Sequence, residues 1–525
     1  MLFTNATVFT GAGPDSRASA FRVEDGVITW VGDAADAADE AAIDLGGRTV
    51  LPGLLDLHTH PALMAEAADA ADCLPPRVTS LAGLIEVLRA HGAERPDDAW
   101  IVGRGYDDSR FPEGRAPTAA DLDEVSADRP VLVWRCDGHS AACNTRALEI
   151  AGIDRETPDP EGARFERDAD GHPTGVLTEL AAVAAVADCR PEPDHGELVR
   201  RVVGLDEHYL SHGIVGVCDL LSSVIREPLA VFRDAAVAGF RPRVALYPGW
   251  DPEALPETLD DDARTGRIRI AGVKILMDGA FSNRTAWVRE PYPDSDGCGI
   301  QMISDESALA AGEWARRNGV QLAVHAMGDQ ALERVIELFG DQEPWLDDVP
   351  SIRLEHVTLV PDELLSRIVG GRMRFGIATH TVFLFAEYEA YKLNLPDVSD
   401  GRAYPLRALA DTPLPLALSS DRPATAWSDA DDVFLSVQAA VDRRAADGTD
   451  VGAPSAITVD EALTLYTSRA ARLAPVGTPA TIAAGAAADF VVLDADVLTV
   501  PADEIARVRV AETWLAGEKV WAAAR

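Results

Sequence analysis

Short, nearly continuous apolar runs recur through the middle of the chain, and each ends where the sequence turns polar. They are LLDLHTH (54–60), GIVGVCDL (213–220), RPRVALYPG (241–249), IAGVKILMDG (270–279), VQLAVHAMGD (320–329), SIRLEHVTL (351–359), MRFGIATH (373–380) and PLPLALSSD (413–421). Runs of this length, apolar on both faces, read as buried strands of a parallel sheet. Between most of them lie helical stretches such as DESALAAGEWARRNG (305–319) and GDQALERVIELFG (328–340). Strands alternating with helices predict an α/β fold, here a TIM-like (β/α)8 barrel over residues 51–475.

The two ends of the chain have a different texture. LFTNATVFTG, FRVEDGVITWVGD and AAIDLGGRTVLPG at the start match DFVVLDADVLTV and RVRVAETWLAGEKVWA at the finish in being strand-like and turn-rich. This predicts a small composite β domain from residues 1–50 and 476–525, with the barrel inserted between them. The gap between the first and second apolar runs is too long for a structureless loop. It carries its own strand and helix signals, DAWIVGRGYDD, RPVLVWRCDGHSAACNTRALEIAG and DGHPTGVLTEL. Residues 64–200 are therefore expected to form an inserted α/β subdomain that covers the barrel mouth. No run is apolar and long enough to span a bilayer, and the start lacks a leader pattern. The expected location is the cytoplasm.

Charge narrows the partners. The chain holds 86 acidic and 47 basic residues, a net charge of −39. Phosphate backbones and anionic membranes both require clustered cations, so neither nucleic acid nor membrane is an expected partner. The acids are spread along the chain, not gathered in a tail. They read as a surface suited to high salt, where screening relieves self-repulsion. Of the basic residues only Lys274, Lys392 and Lys519 are lysines. The six cysteines show no CxxC pair, which argues against a disulfide framework or a zinc finger.

Chemistry gathers at the ends of the apolar runs. His58 and His60 stand at i and i+2, so a strand would put both imidazoles on one face, a good geometry for sharing a metal. His325, His356 and Asp421 each close an apolar run, and barrel active sites draw residues from strand ends. Taken singly, a histidine there reads as a satisfied core residue and Asp421 as a helix N-cap. Lys274 lies inside an apolar run. A free ammonium would repel a cation, whereas a CO2-derived carbamate on a buried, less basic lysine could bridge two ions. The alternative is a lysine paired with Asp278 or another acid.

LPGLLDLHTHP, DGHSAACNTRAL, GHPTGVLTE, VKILMDGAFSNRTA, VHAMGDQA, RLEHV, SSDRP and AADFVVLD, taken in this order, resemble the amidohydrolase superfamily in its YtcJ-like branch, which includes N-substituted formamide deformylases. The resemblance implies a metal site of His58, His60, Lys274, His325, His356 and Asp421. In it His58, His60 and Asp421 hold one ion, His325 and His356 hold a second, and carboxylated Lys274 bridges. It implies a divalent metal, one or two per chain, with zinc suited to the ligands and manganese, iron or cobalt also fitting. The implied reaction is hydrolysis of a non-peptide amide C–N bond in an N-acyl or N-formyl small molecule by metal-activated hydroxide. Asp421 would serve as general base and then acid, with His356 assisting. His139, Asp278 and Arg284 are the expected substrate contacts, and a homodimer is a family-level expectation. A deaminase or cyclic-amide hydrolase on the same barrel, or a non-catalytic metal-binding protein, is the alternative. ATHTVFLF (378–385) departs from the Gln-Pro usual in relatives after the seventh strand, which leaves His380 unassigned.

Overall fold

The computed structural model describes all residues except 14–15, 38–40, 97–98, 137, 161, 396–399, 478–479 and 525. The chain divides into two compact units. The first comprises Met1–Ala65, His195–Arg422 and Ala430–Arg525, and the second Glu66–Asp194 and Pro423–Asp429.

The apolar runs of the first unit become two parallel sheets. One has strands β1 (Leu54–Thr59), β2 (Ile214–Leu220), β3 (Arg243–Tyr247) and β4 (Ile268–Ile270) side by side in that order. The other has β5 (Gly272–Leu276), β6 (Gln321–Ala326), β7 (Ile352–His356), β8 (Phe375–Thr379) and β9 (Leu416–Leu418), also adjacent in sequence order. Every residue of β1, β2, β7, β8 and β9 is buried, as expected for strands covered on both faces. Helices follow the strands where their caps allow. Asp305–Asn318 begins where the Ser304 side chain accepts from the Ser307 amide and ends at Gly319, whose φ of 61° favours glycine.

The run 270–279 does not form one strand. It breaks at Ala271, so that β4 pairs with β3 while β5 pairs with β6. Gly272 shows why. A Cβ there would sit 2.3 Å from the Tyr247 ring and 2.5 Å from the Gln321 carbonyl oxygen. Tyr247 is anchored in that space by donating to Gln321 Oε1 at 2.6 Å. Lys274 is still tied back to the β3 side, because its amide donates to the Pro248 carbonyl and its carbonyl accepts from Trp250.

Both chain ends meet in a six-stranded sheet ordered Glu518–Ala522, Val510–Leu515, Phe490–Leu493, Thr49–Pro52, Thr7–Phe9, Arg17–Ala18. A four-stranded sheet of residues 2–44 accompanies it. Their shared core is aromatic: Phe3 stacks on Phe21 at 4.8 Å between centroids, and Phe490 on Trp514 at 5.3 Å. Pro52 pairs opposite Phe490, and β1 starts two residues later.

The second unit is built on a six-stranded mixed sheet ordered Arg164–Arg167, Pro173–Thr178, Ala141–Cys143, Val131–Arg135, Ile101–Tyr106, Ala70–Asp72. Among the described residues no helix is long and apolar enough to cross a membrane.

Candidate metal centre

Alternation along β1 carries His58 and His60 to one place, where the Asp421 carboxylate meets both. Asp421 Oδ1 lies 2.7 Å from His60 Nε2 and 3.2 Å from His58 Nε2. Asp421 caps no helix side-on as a lone N-cap would. Its amide instead donates to the His58 carbonyl at 2.8 Å, fastening the segment after β9 to β1. Burial alone would raise its pKa, but the two imidazoles hold it well below the usual carboxylate range.

The backbone is strained where these ligands leave their strands. His356 (φ 70°), Val357 (φ 49°) and Asp421 (φ 56°) all occupy the left-handed region. Such residues cost about 1–3 kcal/mol each and persist where surroundings over-determine them. The turn at His356 also explains its reach. Glu355 and His356 are neighbours, yet both side chains come close to His58.

His356 packs its ring 4.9 Å from His58, 4.3 Å from His325 and 4.6 Å from His380 between centroids. Its Nδ1 is buried with no hydrogen-bond partner, and burial pushes its pKa well below the ordinary value. His325 donates Nε2–H to the Gly279 carbonyl at 3.0 Å, and burial with Lys274 nearby lowers it to about 3. Lys274 is 2% exposed, and its Nζ has no hydrogen-bond partner. The pairing with Asp278 is thus not made. Burial lowers Lys274 to about 8 against the pull of Glu355 and Asp421.

Three further residues belong to this cluster that sequence reasoning left out or unassigned. Glu355 accepts from His58 Nδ1 at 2.7 Å and from Arg353 Nε at 2.5 Å. Arg353 also donates to the Leu57 carbonyl and lies over the Tyr247 ring. Burial opposes the charge on Glu355, but Arg353 and His58 hold its carboxyl well below the usual range. Two charged residues inside SIRLEHVTL were the available signal, since a buried strand tolerates them only as a pair. The third is His380, at the end of the β8 run and 4.8 Å from the His58 ring. Within β1, Asp56 accepts from the Ser420 hydroxyl at 2.5 Å, and burial pushes it up to about 7.

The remaining predicted residues lie differently. Asp278 is fully buried, and its two oxygens accept from the amides of Trp287, Met327 and Gly328 at 2.8–3.0 Å. Its carboxylate therefore knits the loop after β5 to the segment after β6. Arg284 Nε donates to Asn394 Oδ1 at 2.8 Å. His139 belongs to the second unit, 3.5 Å from the Glu179 carboxylate.

The donors fit a divalent cation. One nitrogen or oxygen from each of His58, His60 and Asp421 lies within 4.8 Å of the others, and the same holds for His58, His356 and His380. Imidazoles with one carboxylate suit zinc and its first-row neighbours. Unpaired buried acceptors are costly, and a cation satisfies them. The outer nitrogens of His58 and His325 are already spent on a carboxylate and a carbonyl, the arrangement that orients ligating imidazoles.

The model of the amidohydrolase family matches residues 41–521. N-substituted formamide deformylase from Arthrobacter pascens is 28% identical over 538 residues, covering 98% of this chain and 97% of its own. YtcJ of Bacillus subtilis is 27% identical over 531 residues, covering 98% of each. The crystal structure of an uncharacterized metal-dependent hydrolase from Pyrococcus furiosus superposes with a TM-score of 0.73 at 25% identity, covering 95% of this chain and 99% of that one.

Proposed function

The chain belongs to the amidohydrolase family and is a hydrolase acting on C–N bonds; on that premise we propose that it cleaves the amide bond of a small N-acyl or N-formyl compound. The observation that carries the reading is the convergence of His58, His60, His356 and Asp421 from three strand ends, with buried nitrogens left unspent. The likeness to the N-substituted formamide deformylase of Arthrobacter pascens supports the N-formyl end of that class.

In this reading His58, His60 and Asp421 hold one divalent cation, and His325, His356 and carboxylated Lys274 hold a second. A cation of this kind, with zinc well suited to the donors, lowers the pKa of a water and polarises a carbonyl. Asp421 would accept the proton of the attacking water and return it to the leaving amine. His356 assists this transfer when a single cation is held. Neutral Lys274 attacks CO2, forming an N–C bond and releasing one proton, and the product carbamate brings an anion to a nitrogen-rich corner. Arg284 contacts a substrate carboxylate, and Asp278 holds the loop that carries Arg284.

The two parallel sheets are read as one (β/α)8 barrel. The bonds from Lys274 to the 248–250 segment and from Asp421 to His58 support that joining. The acidic, lysine-poor composition supports a concentrated-salt habitat and argues against nucleic acid or anionic membrane partners.

Metal content per chain tests the proposal, measured by elemental mass spectrometry on protein purified in high salt without chelator. Close to two equivalents is expected, falling in Lys274→Ala. One equivalent, unchanged in that variant, would reject the carbamate bridge, and none would reject the metal site.

A further inference from the structure

We infer that His380 supplies a third imidazole nitrogen to a divalent cation shared with His58 and His356. The inference rests on the metal-dependent reading but regroups its ligands: the outer nitrogen of His58 is taken by Glu355, so the cation that His58 holds is the one His356 and His380 also reach, and the ligand set implied by resemblance contains no residue from the end of β8. The position itself departs from that resemblance.

His380 stands directly before the helix Thr381–Ala386, yet its side chain makes no capping bond there. Its Nδ1 lies 3.0 Å from the Ser419 carbonyl oxygen. A carbonyl only accepts, so Nδ1 carries the ring proton and Nε2 is left with the lone pair. That Nε2 is buried with no hydrogen-bond partner, in a residue that is 0% exposed. An unpaired buried acceptor is costly, a cost that an ordinary core position would not retain. Phe383 stacks on the ring at 5.2 Å and fixes its plane. One ring nitrogen from each of His58, His356 and His380 lies within 4.8 Å of the other two.

The same device recurs on His58. Its outer Nδ1 is held by Glu355, as the outer Nδ1 of His380 is held by Ser419. In both rings Nδ1 is held from outside and Nε2 faces the interior, where that of His58 lies 3.2 Å from Asp421 Oδ1 and that of His380 has no hydrogen-bond partner. Holding the outer nitrogen by a carboxylate or backbone carbonyl is how ligating histidines are oriented. A histidine present only to fill space needs neither the Ser419 bond nor an inward lone pair.

The test is the visible absorption spectrum of the cobalt(II)-loaded full chain, with cobalt affinity measured by chelator competition. In His380→Ala the ligand-field bands are expected to shift and weaken, and affinity to fall at least about tenfold. Added imidazole should restore the bands. His380→Gln, closer in volume, takes the place of the alanine variant if the latter does not fold. A folded variant with the wild-type spectrum would overturn the inference, whether or not its affinity changed, since a residue that only positions others leaves the bands in place. Wild-type protein that takes up no cobalt would instead overturn the metal-dependent reading as a whole.

Discussion

The two sides of the metal centre differ in how their charges are settled. On one side, the Asp421 carboxylate lies between His58 and His60, so an anion already accompanies the imidazoles. On the other, His325, His356, His380 and Lys274 bring only nitrogens together, and three of their polar atoms have no hydrogen-bond partner. The first side is stable as protein alone. The second is an arrangement that a cation and an added anion would complete, and Lys274 is the group able to supply the anion. A site built this way should lose turnover when the matched side is altered and lose metal when the unmatched side is altered.

The largest effect is expected at the matched side. Asp421→Asn keeps the shape of the carboxylate but not its basicity, so kcat should fall by about 10²–10⁴, the range of general acid–base catalysis. The Asn amide oxygen can still ligate, so metal content should fall much less than kcat. Full activity in this variant would remove Asp421 as the proton acceptor and with it the division of labour between the two sides.

Glu355→Gln tests the support that links them. It weakens the hold on His58 Nδ1 and leaves the Arg353 guanidinium buried without its counter-charge. Metal affinity should drop by about 10–100-fold, and breaking the buried pair should cost about 3–5 kcal/mol of stability. Chelator competition and thermal unfolding measure the two losses separately. An unchanged affinity would show that His58 needs no outer anchor.

The smallest effect concerns pH. Carbamate formation requires the neutral amine, and Lys274 is lowered to about 8. Below that value the ammonium dominates; above it the amine does. With bicarbonate present, the rate at which metal-free protein regains metal should rise by roughly twentyfold between pH 6.5 and 8.5, following the neutral fraction. The increase should vanish in Lys274→Ala. A flat rate in the wild type would leave the nitrogen-rich side without its anion.

The sequence was most legible where periodicity and chemistry coincide. His58 and His60 could be placed together because strand alternation is fixed at two, and the apolar runs announced the strands that carry them. What lay hidden is what depends on pairing between distant segments. Nothing local in SIRLEHVTL reveals that Arg353 reaches Leu57 or that Glu355 reaches His58. The break at Ala271 was hidden for the same reason, since it marks where pairing with β3 gives way to pairing with β6. Asp278 sits next to the loop expected to bind substrate, but its carboxylate is engaged by three backbone amides that no local pattern signals.

The pairing of Pro52 with Phe490 has a consequence for folding. The strand that delivers His58 and His60 follows an edge supplied from far downstream in the sequence, and Asp421, which ties to its other end, is distant as well. Closing contacts so distant in sequence is slow. The two histidines and the carboxylate that meets them are therefore brought together late in folding, after the local helices and strand pairs.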